Sequence, residues 1–202
     1  MGLETKRSLA NKFLKPTAKK MKFMSPNSAS LLSIIFAAFA GYFFYTGDPF
    51  LVLSAGFFVF LNGLFDALDG ALARIQKKAS KKGDFIDHVL DRYADVFILL
   101  GLTFSPLVRN WIGFLAIIGV LLTSYMGTQA MALTKKRLYA GFLSRATRLV
   151  ILIFSPVIHY LLIYLGISIP YLFSFMELVL IYFAVAGNLT ALERIYKTWQ
   201  ML

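Results

Sequence analysis

Asp66 and Asp69 are three residues apart, and Asp87 and Asp91 are four apart. On a helix each interval places both side chains on one face. Two such pairs, joined by the short basic stretch KKASKKG, predict two facing carboxylate pairs. Four carboxylates in a confined space need counter-charge, because burying each bare charge costs several kcal/mol. Hard oxygen donors in that number suit Mg²⁺ or Mn²⁺ (Ca²⁺ also) rather than zinc. Gly70 follows Asp69 directly and leaves a stretch of backbone bare, with Arg74 one turn further on. Metal ligands, open backbone and a cation together suit a pyrophosphate whose charge a metal neutralises. The alternative is structural, with Asp66, Asp69, Asp84 and Asp87 paired to Arg74, Arg92 and the loop lysines. For Asp84 and Asp95 that structural role is the expectation.

The surroundings of this cluster are apolar. The 202 residues are 58% hydrophobic, with a mean hydropathy of +0.70, which predicts a polytopic membrane protein. Only 15% of residues are charged, yet the net charge is +11. In such a chain a basic excess reflects orientation and lipid headgroups, so nucleic-acid binding is not expected. There is no cysteine, which excludes disulfides and thiolate metal sites. The start, MGLETKRSLANKF, has no continuous apolar core and does not read as a cleaved signal peptide.

The predicted architecture is all-α and a single domain over 1–202. Residues 1–24 are a basic amphipathic segment, broken near Pro16, expected to lie on an anionic bilayer surface. Six apolar spans are predicted near 29–46, 50–75, 84–104, 111–134, 143–165 and 170–195. With both termini inside, 20 of the 21 lysines and arginines fall on the inner side, leaving only Arg109 outside. The carboxylates then sit at the cytosolic edge of a cell-membrane protein, with spans 2 and 3 packed antiparallel to bring the pairs together. A carboxylate-based metal transporter would use the same residue types. It would also show paired helix breaks and an inverted repeat, and neither is visible in the sequence.

Residues 66–91 resemble the signature of the CDP-alcohol phosphotransferase family, D-x2-D-G-x2-A-R-x8-G-x3-D-x3-D. Asp66, Asp69, Gly70, Ala73, Arg74, Gly83, Asp87 and Asp91 keep every spacing. The resemblance implies a six-helix membrane fold, a homodimer, and transfer of the phosphoalcohol of a CDP-alcohol to an acceptor hydroxyl with release of CMP. It implies two divalent cations held by Asp66, Asp69 and Asp87, with Asp91 beside them as general base. It implies a CDP-alcohol site made by Asn27, Asp66, Asp69, Gly70, Ala73, Arg74 and Ser80. From the residues alone, Asn27 or Ser28 is an equally good helix cap.

Arg145 and Arg148, one turn apart at the start of span 5, resemble the paired-arginine element of members that accept inositol phosphate. They predict an anion site for a phosphorylated acceptor. Their other reading is as interface anchors. Arg194 and Lys135 to Arg137 are further candidates for that site, though residues so placed are more often plain positive-inside charges. Gly127 and Gln129 depart from the basic residues that bacterial members tend to carry there. The segments GTQA and LDRYAD look more like archaeal members, whose lipid is archaetidic. The resemblance therefore implies CDP-archaeol and inositol 1-phosphate as substrates. CDP-diacylglycerol is the alternative lipid. Glycerol phosphate, serine and the di-inositol-phosphate reaction are the alternative acceptor chemistries.

Overall fold

The computed structural model describes residues 14, 16–135, 138 and 141–202. Six long helices carry the fold: α1 (Pro26–Thr46), α2 (Pro49–Ile75), α3 (Lys81–Thr103), α4 (Asn110–Thr134), α5 (Arg145–Tyr164) and α6 (Phe175–Trp199). No strand occurs among the described residues. Five of the six are long and apolar enough to cross a membrane, α3 being the exception. It is 23 residues long, but its first two-thirds hold the charged residues from Lys81 to Asp95. These helices make the chain a multi-pass membrane protein.

Helix ends follow local chemistry. Ser25, Asp48, Ser80, Ser144 and Ser174 each cap a helix, with the side-chain oxygen accepting amide protons from the first turn. The cap of α1 is thus Ser25, and neither Asn27 nor Ser28, because Pro26 takes the first helical position. The last helix starts at Phe175, five residues later than the span predicted from 170. Tyr171 has φ +64, which no helix continues through, and Ser174 restarts the chain.

α1 packs against both α2 and α3, α2 against α5, and α4 against α6. The two aspartate-bearing helices, α2 and α3, touch only at a few positions. This corrects the expected antiparallel packing of spans 2 and 3. Residues 26–46 intervene as a shared partner, and the carboxylates meet only at one end.

In hydrocarbon there is no hydrophobic gain between helices, so close backbone approach and polar links hold them together. A Cβ on Gly101 of α3 would fall on the backbone of Gly41 in α1. One on Gly187 of α6 would come 2.9 Å from the Gly119 carbonyl carbon of α4. Between α1 and α2, buried Asn62 donates to Ser33 O (3.0 Å) and Ser33 Oγ (2.9 Å), and Ser33 Oγ donates to Asn62 O (3.1 Å). Gly101→Ala is expected to force α1 and α3 apart and cost about 1–3 kcal/mol. Thermal unfolding in detergent measures this, and an unchanged midpoint would show that the crossing is not tight.

At the end remote from the carboxylates, Arg109 donates its backbone N–H and Nε to Glu177 Oε1 and its Nη2 to Glu177 Oε2. Glu177 is fully buried at the start of α6. Its hydrogen bonds hold the exposed Arg109 guanidinium above its ordinary pKa, firmly protonated. The one basic residue predicted on that side is therefore a latch between the 104–109 loop and α6.

The part of the N-terminal segment lying in residues 1–13 is outside the described residues. Leu14 and residues 16–20 are helical. Ala18 is buried against Leu68 and Leu72 of α2, flanked by Leu14, Met21 and Met24. Gln76 Nε2, just after α2, donates to the carbonyls of Lys22 (3.2 Å) and Met24 (2.8 Å). This segment is docked on the protein.

Candidate active site

Three helices and one loop enclose a cavity of about 550 Å³. α1 contributes Asn27 and Ser30 to its wall, α2 contributes Asp69, Gly70, Ala73 and Arg74, and the start of α3 contributes Asp84 and Asp87, with Ser80 from the cap. All but one of the residues predicted for the CDP-alcohol site thus share one wall. The exception is Asp66, which with Asp91 lies behind that wall, toward α5.

Gly70 behaves as its position suggests. A Cβ there would meet nothing closer than Arg74 Nη2 at 3.8 Å, so no packing demands a glycine. The missing side chain leaves room toward the cavity. Ser80 does double service: its Oγ accepts the Gly83 N–H (3.1 Å) as the cap of α3, and it also lines the cavity. Asp84 makes no ion pair with any described residue and faces the cavity instead, so its expected pairing is corrected.

The carboxylates converge as the spacing predicts. Oxygens of Asp66, Asp69 and Asp87 lie within 4.8 Å of one another. Asp87 and Asp91 form a second such group with a ring nitrogen of His88. Asp69 is buried and accepts a 2.6 Å hydrogen bond from Ser30 Oγ. Neither Ser30 nor His88 was singled out from sequence. Each lies one turn or less from a predicted site residue, but a lone serine or histidine carries no spacing signal.

Positive charge comes from α5. Arg145 grips Asp66 with both prongs, Nη1 to Oδ2 at 2.8 Å and Nη2 to Oδ1 at 3.2 Å. Its Nη2 also lies 2.6 Å from Asp91 Oδ1. That contact is close but off the axis of a hydrogen bond, and Asp91 Oδ1 is buried without one. A buried carboxylate oxygen with an open lone pair can accept a proton or a cation. Three clustered carboxylates beside it are a donor set that fits hard divalent cations.

The CDP-alcohol phosphatidyltransferase family model matches residues 23–190 of this sequence. The chain belongs to that family. It is a transferase. Among relatives, archaetidylinositol phosphate synthase of Pyrococcus horikoshii is 30% identical over 89% of this chain and 86% of its own. The protein of the same name from Methanothermobacter thermautotrophicus is 31% identical over 70% and 67%. The structure of Mycobacterium tuberculosis phosphatidylinositol phosphate synthase with CDP-DAG bound matches with a TM-score of 0.75. It covers 93% of this chain and 94% of that one at 20% identity, which establishes a shared fold. The same protein in complex with manganese and citrate gives a TM-score of 0.74, also at 20% identity, covering 93% and 89%.

In this transferase the second arginine of the predicted pair differs from the first. Arg148 is only 2% exposed, and its Nη2 donates to Asp95 Oδ2 at 2.7 Å. Asp95 also lies 3.5 Å from Arg92 Nη2, so its expected structural role holds. Arg194 of α6 donates from Nη1 to Thr123 O of α4 at 2.6 Å. A Cβ on Gly127 would sit 2.7 Å from that same nitrogen. The glycine that departs from the bacterial pattern is therefore the notch through which Arg194 passes. Lys135 caps α4 with φ +56, while Lys136 and Arg137 fall outside the described residues.

Proposed function

We propose that the enzyme transfers the phosphoalcohol of a CDP-lipid, CDP-archaeol, to a hydroxyl of inositol 1-phosphate and releases CMP. The observation that carries this reading is the meeting of Asp66, Asp69 and Asp87, of which Asp69 and Asp87 line the cavity, with Arg145 behind them. The choice of lipid and acceptor leans on the archaetidylinositol phosphate synthases that the chain resembles over most of its length.

In this reading Asp66, Asp69 and Asp87 hold two divalent cations, Mg²⁺ or Mn²⁺, with Asp91 beside them. When bound, the metals supply charge neutralisation of the pyrophosphate and polarise its phosphorus. Asn27, Gly70, Ala73, Arg74 and Ser80 receive the cytidine diphosphate. Asp91 accepts the proton of the acceptor hydroxyl as its oxygen bonds to the lipid-bearing phosphorus. The bond from that phosphorus to the bridging oxygen breaks, and CMP leaves with the electron pair. Arg145 and Arg194, at the α5 and α6 ends, receive the acceptor's phosphate and hold its hydroxyl in line, while Arg148, paired with Asp95, supports the start of α5 behind them.

α3 is the sixth span in this reading, and both termini are cytosolic. The polar chemistry then takes place at the cytosolic face of the cell membrane while the lipid tails remain in the bilayer. The chain works as a homodimer, and the mass of the solubilised particle should correspond to two chains.

The test is CMP release from CDP-archaeol and CDP-diacylglycerol with Mg²⁺ or Mn²⁺. The acceptors to compare are inositol 1-phosphate, glycerol phosphate, serine and inositol. The expected result is turnover with CDP-archaeol and inositol 1-phosphate, abolished by chelation. Turnover with serine or inositol but not with a phosphorylated acceptor would overturn the acceptor assignment.

A further inference from the structure

One hydroxyl ties the approach to α5 onto α6. Thr190 is completely buried. Its Oγ1 accepts the backbone N–H groups of Phe142 (3.0 Å) and Leu143 (3.2 Å), and it donates to Ala186 O (2.6 Å). The hydroxyl thereby uses its donor and both acceptor sites. Leu143 is fully buried as well. Ser144 follows as the cap of α5, and Arg145 is the first helical residue. One step before the anchor, Gly141 has φ +113, and a Cβ there would run into Thr190 Cγ2. Both the backbone angle and the space require glycine, so the chain is pressed down onto this threonine.

We propose that Thr190 is a positioning residue for the acceptor site, setting the rotation and depth at which α5 begins. This rests on the reading of Arg145 as a residue that meets the acceptor's phosphate, with Arg148 and Asp95 holding the same turn of α5 in place. The geometry leaves little slack. A slip of one residue at the helix start turns every side chain by about 100° and shifts it by about 1.5 Å. Arg145 would then leave Asp66, and Arg148 would leave Asp95. Thr190 also stands one turn before Arg194 on the same face of α6. A single helix thus fixes where α5 begins and carries the third arginine.

Thr190→Val keeps the shape and removes the hydroxyl, leaving the buried Leu143 amide and the part-buried Phe142 amide without this partner. With CDP-archaeol saturating, the KM for inositol 1-phosphate is expected to rise roughly tenfold or more. The KM for CDP-archaeol should stay within about twofold, and Thr190→Ser, which keeps the hydroxyl, should leave the KM for inositol 1-phosphate near that of the unsubstituted enzyme. A merely structural role would lower the folded fraction, and with it the apparent kcat, at unchanged KM, and that result would overturn the proposal. Should Thr190→Val fail to fold, Thr190→Cys offers a weak sulfur acceptor in its place. It should raise the acceptor KM several-fold, and an unchanged KM there overturns the proposal equally. Arg145→Lys separates the two layers. If it raises the acceptor KM while Thr190→Val does not, the positioning role alone is wrong. If Arg145→Lys leaves that KM unchanged, the acceptor reading falls and the role of Thr190 falls with it.

Discussion

Asp91→Asn is expected to reduce CMP release by at least about 10²-fold, the contribution a positioned general base makes. Binding of the CDP-lipid should be largely retained. Three observations support so selective an effect. Asp91 lies outside the wall of the cavity that Asn27, Gly70 and Ser80 line, so the nucleotide's surroundings stay as they are. Arg145 keeps its two-pronged pair with Asp66 when the charge at residue 91 is lost. Asparagine matches aspartate in shape, so the turn of α3 between Asp87 and Asp95 need not move. What disappears is the negative charge shared by the buried Oδ1, which accepts no hydrogen bond. An amide oxygen there is far less basic and cannot take the acceptor's proton. Steady-state CMP release and calorimetric titration with the CDP-lipid measure the two sides, and normal turnover in Asp91→Asn would sink the assignment. Asp66→Asn and Asp87→Asn should differ by also weakening Mn²⁺ binding, because both belong to the clustered oxygens.

The other large effect belongs to stability. Arg148→Met is expected to destabilise the fold by about 3 kcal/mol, the lower end of the cost of orphaning one partner of a buried ion pair. The lower end applies because Asp95 keeps Arg92 at 3.5 Å. For a chain of this size that corresponds to a fall of roughly 6–12 °C in Tm. Arg148→Met combined with Asp95→Leu should recover most of the loss, since the orphaned charge is removed too. Thermal unfolding of the three proteins decides it. A double variant as unstable as the single one would mean that the helices need the charge pair itself.

Much of the site was legible because helix periodicity is a local rule. Intervals of three and four residues put Asp66 with Asp69 and Asp87 with Asp91, and the structure brings Asp66, Asp69 and Asp87 together. Gly70, Ala73 and Arg74 follow on the same turns, so one fixed helix presents them all to the cavity. The cap of α1 was less readable: Asn27 or Ser28 looked as good in sequence, but Pro26 takes the first helical position and leaves the cap to Ser25. Partnerships across helices were not readable. Nothing in the spacing says that Arg145 reaches Asp66 and Asp91 while Arg148, one turn on, turns to Asp95. Nor could the sequence show that α2 and α3 meet mainly through α1. In an apolar solvent, Gly41 against Gly101 makes as good a contact as two facing leucine stripes. Asp84 was misjudged for a related reason. It had lysines at hand in sequence, but Lys81 and Lys82 sit at the open end of α3, where water competes for them.

The docking of residues 18–24 on α2 redraws the smallest useful piece of this enzyme. By hydropathy alone, a protein engineer would begin a shortened chain at Pro26, where the first apolar helix starts. Such a cut removes Ala18 from Leu68 and Leu72 and takes away both carbonyls that hold Gln76. It also removes Ser25, which is at once the cap of α1 and part of the cavity wall. The trimming limit therefore lies ahead of Leu14, and fusion partners belong upstream of that residue.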